Sequence, residues 1–191
     1  MDVDDLLILS TILLPWLGAA VLWLTGAAAR SRAGGAPPER LAGLQNGLAA
    51  AFSLAGAPAA LGLLFFPSSA ASIRIPVGDF FGELTFVPDG LGVFLAIIAS
   101  GIGSLAVIFS IDYMKGDPQL GRFYMLVLIF IGAMSGLVLT GSLLFLFVFW
   151  EITALCSYGL ISFYNDDPKA VAGGIKALII TQVGGVGLLA G

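Results

Sequence analysis

Long apolar runs separated by short polar intervals make up most of the chain. Six runs stand out, at about Leu6–Ala29, Leu41–Phe66, Leu91–Ile111, Phe123–Thr140, Leu143–Phe163 and Ala170–Gly191. Each is near the ~20 residues that an α-helix needs to cross ~30 Å of hydrocarbon. Apolar and polar residues do not alternate along these runs, as the strands of a membrane barrel would require. Peptide groups cannot be left unpaired in lipid, so each run is predicted to be a helix. The longest polar interval, Pro67 to Gly90, contains two β-prone stretches, Ser72–Pro76 and Glu83–Val87, with Gly78, Asp79 and Gly82 as turn material between them. That pattern predicts a short hairpin lying on the outer face and serving packing. By contrast, "RSRAGGAPPER" after the first run reads as a flexible inner loop. The predicted fold class is all-α: a polytopic transmembrane bundle of about six helices, with an external β-hairpin between helices 2 and 3, forming one domain over residues 1–191.

Composition agrees and removes other classes. Of 191 residues, 59% are apolar and 10% charged, with a mean hydropathy of +1.04. A soluble domain is usually about 25% charged, so this chain cannot cover a water-facing surface. A net charge of −4 with eight Lys and Arg leaves no basic patch for nucleic acid. The chain has no histidine and one cysteine, Cys156, which reads as a small packing residue. A disulfide framework, a Cys/His zinc site, a His-held haem and a Cys-held iron–sulfur cluster are thereby excluded. No Gly-rich phosphate loop follows a strand. The first run is not a signal peptide, because it is too long and follows the acidic residues Asp2, Asp4 and Asp5 rather than a basic region.

Lys and Arg set the expected orientation. Arg30, Arg32 and Arg40 follow the first run, Lys115 and Arg122 the third, and Lys169 the fifth; the opposite side holds only Arg74. Six against one predicts an N-terminus outside and odd-numbered connections in the cytoplasm. Gly43/Gly47 and Gly132/Gly136 have the GxxxG spacing that lets helices approach closely in lipid. Pro15 is expected to bend the first helix or mark its boundary. The last run stops at Gly191 with no polar tail, which predicts an N-terminal fragment of a longer protein.

One residue breaks the apolar pattern in a place that costs free energy. Glu151, directly after Trp150, is about halfway along "FLFVFWEITALCSYGLISFY", Phe145 to Tyr164. An ionised side chain at the bilayer centre costs about 2.5–3.5 kcal/mol on insertion scales. Burial favours the neutral acid and a nearby ammonium favours the anion. An acid whose protonation responds to a cation moving nearer or farther is a proton-transfer switch. Lys176, in "GGIKALIITQVGG", is the one basic residue inside a run. It should lie ~10 Å from the cytoplasmic end of its helix and Glu151 ~18 Å from the end of its own. A lysine stem bridges part of that difference, so a direct pair and a water link both fit, as does a lysine that snorkels to the inner headgroups. Tyr158, seven residues after Glu151, shares its face and is a candidate relay, or pairs with backbone. Gln182, beyond Lys176, is a second candidate relay that can hold water. Asp112, at the end of the third run, is expected at the surface.

The residues from "GRFYMLVLIFIGAMSGL" through "FVFWEITALCSYGLISFY" resemble the fourth and fifth helices of the antiporter-like subunits of respiratory complex I and its relatives. "VPDGLGVFLAIIASGIGSLAVIFSIDYM" is similar to the third helix of that family, and the N-terminal pattern is of the chain 5, or subunit L, type. The resemblance implies a protein of about fourteen or more helices, of which this is the first part. It implies that Glu151 matches the fifth-helix glutamate that pairs with a seventh-helix lysine in proton translocation. It also implies that Lys176 matches a lysine near the start of the sixth helix. The chain departs from the family at Thr181-Gln182-Val183-Gly184-Gly185, where subunit L proteins have Arg and Asp in "TRVGD". In this segment it is closer to the large subunit of Mrp-type cation/proton antiporters and to membrane-bound hydrogenase relatives.

The expected function is that of a proton-translocating, non-redox subunit in a complex I-like, redox-driven complex of a bacterial or archaeal cell membrane. Glu151 and Lys176 would transfer the proton. No cofactor is expected on this chain. NADH, flavin, iron–sulfur and quinone chemistry would belong to partner membrane subunits. An Mrp-type Na⁺/H⁺ antiporter large subunit, with H⁺ or Na⁺ as the ion, is the alternative. A structural scaffold with a buried neutral acid is the second alternative.

Overall fold

The computed structural model describes residues 3–33, 39–65, 73–78 and 82–190. Among these residues the order is α1 (Val3–Ala33), α2 (Glu39–Gly62), β1 (Ile73–Gly78), β2 (Gly82–Phe86), α3 (Gly90–Tyr113), α4 (Leu120–Leu139), α5 (Leu143–Ile161) and α6 (Pro168–Ala190). The six helices fall on the six apolar runs. α1, α3, α4, α5 and α6 are long and apolar enough to cross a membrane, which makes this an integral membrane protein.

α2 does not meet that standard of apolarity, and its contacts show why. Gln45 and Ser53 are buried against neighbouring helices. Tyr124 of α4 donates its hydroxyl to Asn46 Oδ1 at 2.8 Å, and Ser104 Oγ of α3 donates to the Ser53 carbonyl at 2.9 Å. Polar groups in the middle of α2 are thus turned toward neighbouring helices, where Asn46 and the Ser53 carbonyl are paired.

On α3, interior and exterior are sorted by size more than by polarity. Phe94, Ile98, Ile102, Leu105 and Phe109 are exposed. The buried side of the same helix is Gly92, Val93, Ala96, Ser100, Ser104, Val107 and Ser110. Lipid tails solvate large apolar side chains as well as a protein core does, so association relies on close backbone approach between small residues. α4 is the hub, packing on α1, α2, α3 and α5. A Cβ on Gly132 would collide with Trp16 Cδ1, and one on Gly136 would meet Phe149 at 2.5 Å. Trp16 Nε1 donates to the Ile129 carbonyl at 3.1 Å, pinning α1 to the same face. Gly43 and Gly47 differ: nothing lies within 4 Å of a Cβ on either. Their GxxxG spacing is therefore not a packing motif among the described residues.

The hairpin forms as expected, two antiparallel strands with Ile73 opposite Phe86 and Ile75 opposite Leu84. Gly78 and Gly82 take positive φ at its turn; Ser72 and Asp79, assigned to the strand start and the turn, lie outside the described residues. β2 is tied to the α4–α5 connection: Gly141 N donates to the Thr85 carbonyl at 2.8 Å and Val87 N to the Leu139 carbonyl at 2.8 Å. Asp89 then caps α3, its Oδ1 accepting from Gly92 N at 2.6 Å. Two sequence expectations change. Arg30 and Arg32 lie within α1, which runs on to Ala33, and α2 starts at Glu39, so the inner loop is shorter than "RSRAGGAPPER" suggests. Pro15 is inside α1 and not at its boundary. Asp112 is exposed in the last turn of α3, as expected.

Candidate functional site

α5 is short and packs between α4 and α6, antiparallel to both. Gly136 of α4 meets Phe149 of α5 while Gly159 of α5 meets Leu126 of α4, and Gly174 of α6 meets Tyr158 and Ser162 while Gly185 meets Glu151. Glu151 is eight residues from the first residue of α5 and ten from its last. At 1.5 Å per residue it is ~12 Å and ~15 Å from the two ends, at mid-span.

The α5–α6 seam is built from small residues on α6. Gly174 and Gly185 are the buried residues of that helix. They are eleven residues apart, about three turns, and so share one face. Glycine at 185 has a specific consequence. A Cβ there would sit 2.6 Å from Glu151 Oε1, 3.4 Å from Phe147 Cε2 and 3.6 Å from Trp150 Cδ1. The acid therefore reaches the backbone of α6 only because position 185 carries no side chain.

One turn before Gly185, Gln182 is half-buried and its Nε2 donates to Glu151 Oε2. Oε1 is buried with no hydrogen-bond partner among the described protein atoms. The two carboxylate oxygens thus have different surroundings: one is held by a neutral amide, the other lies against Gly185. A carboxyl group so placed can take a proton on Oε1 without disturbing the contact at Oε2.

The sequence candidates divide accordingly. Gln182 is a direct partner of Glu151. Tyr158 lies on the same face of α5, half-buried, with its ring against Gly174. It is seven residues from the acid, ~10 Å along the helix, and shares the seam without touching it. Lys176 is exposed and forms no ion pair with Glu151. Nine residues separate it from Gly185, about two and a half turns, which puts it on the opposite side of α6. The structure therefore brings Glu151, Gln182 and Tyr158 to one seam and leaves Lys176 outside it. Cys156 is buried as a packing residue. The residue that sequence reasoning missed is Gly185. Its only signal was the departure at 181–185, whose two altered positions, Gln182 and Gly185, are the two that touch the acid. Among the described residues, no cluster of three or more His, Cys, Asp or Glu is placed to hold a metal.

Comparison with known proteins adds to this geometry. Residues 75–124 match the family described as NADH-ubiquinone oxidoreductase (complex I), chain 5 N-terminus. Residues 140–191, which hold Glu151, Gln182 and Gly185, match the family described as NADH:quinone oxidoreductase/Mrp antiporter, transmembrane. The chain is 47% identical over 103 residues to Na(+)/H(+) antiporter subunit A1 of Staphylococcus aureus strains JH9 and Newman, an alignment covering 54% of this chain and 13% of each relative. A solved structure of the Mrp complex from Dietzia sp. DQ12-45-1b contains a chain that matches 91% of this one, with a TM-score of 0.70 and 27% identity; the match covers 18% of that chain.

Proposed function

This chain belongs to the antiporter-like membrane subunits of the complex I/Mrp superfamily, and from that premise we propose that it is the N-terminal part of an Mrp-type Na⁺/H⁺ antiporter subunit. Glu151 is the acid that loads and releases the transported proton. The observation that carries this reading is the acid itself, at mid-span with one oxygen held by Gln182 and the other buried against Gly185. The Mrp assignment is favoured over a redox-driven complex by the 47% identity to a protein named as a Na(+)/H(+) antiporter subunit. The residues here form one unit of six helices within a longer subunit. Other membrane subunits are its partners, and the side of the bundle that holds six of the eight Lys and Arg faces the cytoplasm.

Energetics allow one acid to serve. Moving one charge against 100 mV costs about 2.3 kcal/mol, and a tenfold change in proton affinity is worth about 1.4 kcal/mol. A carboxyl group whose surroundings gain or lose one nearby charge spans that range.

A second reading, proton translocation in a complex I-like redox complex, is supported by the chain 5 match over residues 75–124. In it NADH, flavin, iron–sulfur and quinone chemistry belongs to partner subunits. The experiment is Glu151→Gln in the full-length subunit, assembled in its complex and assayed in everted membrane vesicles. Sodium-driven proton movement is expected to be lost with the complex intact. Retained transport overturns the role of Glu151 and leaves the scaffold reading. Proton movement that needs an electron donor and ignores sodium selects the redox reading.

A further inference from the structure

Glu151 lies against α6, on a helix that also packs on α4 and α1, and its polar surroundings are sparse. On α4 the titratable side chains, Arg122 and Tyr124, are in the first two turns, level with the far end of α5. On α5 they are Cys156 and Tyr158. α6 carries Lys169 and Lys176, the latter exposed and on its far side. α1, which reaches α5 through Trp16 and Phe149, carries Asp4 and Asp5 in its first turn and Arg30 and Arg32 in its last. The group in hydrogen-bond contact with the carboxyl is the uncharged amide of Gln182.

We infer that Gln182 and Gly185 are positioning residues that divide the labour of the two carboxyl oxygens: Gln182 holds Oε2 as an acceptor in both charge states, and Gly185 leaves Oε1 as the oxygen that carries the proton. The inference rests on the proton-carrying role of Glu151 proposed above. An amide N–H can donate both to a carboxylate oxygen and to the carbonyl oxygen of a carboxylic acid, more strongly to the first. When Glu151 binds a proton, the O–H bond forms on Oε1, Oε2 becomes the carbonyl oxygen, and the Gln182 contact persists. On release the O–H bond breaks and the electron pair stays on Oε1. The side chain need not rotate at either step. A lysine or arginine at 182 would add a positive charge and favour the anion. A neutral donor orients the acid without biasing it in that way. Gly185 supplies the space, because a Cβ 2.6 Å from Oε1 would displace the carboxyl end of Glu151.

The test uses the full-length subunit in its assembled complex. Infrared difference spectra between acid and alkaline pH are recorded, and the band of the protonated Glu151 carbonyl is identified by its absence in Glu151→Gln. In the wild type this band is expected at the hydrogen-bonded position. In Gln182→Met, which keeps length and packing but removes the donor, it is expected to move to the frequency of a free carbonyl. Sodium-driven proton transport is expected to fall roughly tenfold or more, the equivalent of one hydrogen bond to a charged group. A Gln182→Met protein with an unmoved band, or with wild-type transport, overturns the inference. Glutamine labelled with ¹⁵N in its side-chain amide provides a measurement without substitution. A label-sensitive amide signal should accompany titration of the acid in the wild type and vanish in Glu151→Gln, and its absence in the wild type overturns the inference as well. Loss of transport in Glu151→Gln combined with wild-type behaviour of Gln182→Met would leave the proposed function standing and remove only this role for Gln182.

Discussion

Adjacent glycines on α6 provide a direct comparison at the scale of single residues. A Cβ at Gly184 meets nothing within 4 Å, whereas one at Gly185 meets the Glu151 carboxyl at 2.6 Å. Gly184→Ala is expected to stay within about 0.5 kcal/mol of wild type in stability and to transport normally. Gly185→Ala is expected to assemble but to lose transport by roughly tenfold to a hundredfold, because a displacement of about 1 Å in a reacting group is enough for that. Initial rates of sodium-driven proton movement, normalised to assembled complex, distinguish the two. The acid was legible in the sequence because a carboxylate in twenty apolar residues needs no structure to stand out. Gln182 was legible only as a polar residue near the right helix, and Gly185 only as one of two altered positions in the departure at 181–185. A glycine announces itself by what its absent side chain would strike, and that depends on the neighbouring helix.

Between helices, the same chemistry yields opposite outcomes for two identical motifs. Gly132 packs under Trp16 and Ile12, so Gly132→Ala should destabilise the bundle by about 1–3 kcal/mol through overpacking. Gly43 faces open space, and Gly43→Ala should be neutral or stabilising by up to about 1 kcal/mol, since alanine is the better helix former. Thermal unfolding midpoints of the two variants in detergent should therefore move in different directions. The hairpin is a further test of element packing. Thr140 Oγ1 donates to the Thr85 carbonyl at 3.1 Å, and Thr140→Val should cost about 0.5–1.5 kcal/mol, read as faster proteolysis of the β1–β2 segment. The helices themselves could be placed to within a few residues, because a run of apolar residues determines where a span starts and stops. Which side of each span faces protein could not be read off. In lipid, large apolar residues gain little by turning inward, so hydrophobicity does not mark the buried face as it does in water.

Across the described residues, the helix ends and connection that carry Arg40, Lys115, Arg122 and Lys169 lie at one end of the bundle and the hairpin at the other, since successive helices run antiparallel. Cys156 is buried, so engineered cysteines can be read over a low background. Val77→Cys in β1 should react with a membrane-impermeant thiol reagent added outside intact cells, and Asp166→Cys in the α5–α6 connection only after the inner face is opened; the reverse pattern would refute the proposed orientation. Sequence by itself determined the membrane class, the position of the spans, the hairpin and the buried acid. Each of these is set by transfer free energies and turn preferences that sum locally along the chain. Tertiary structure alone decided that α6 presents Gln182 and Gly185 to Glu151 while carrying Lys176 on its far side. The reason is rotational: the register of two close-packed helices is fixed by where small residues let their backbones meet, and on α6 those residues are Gly174 and Gly185.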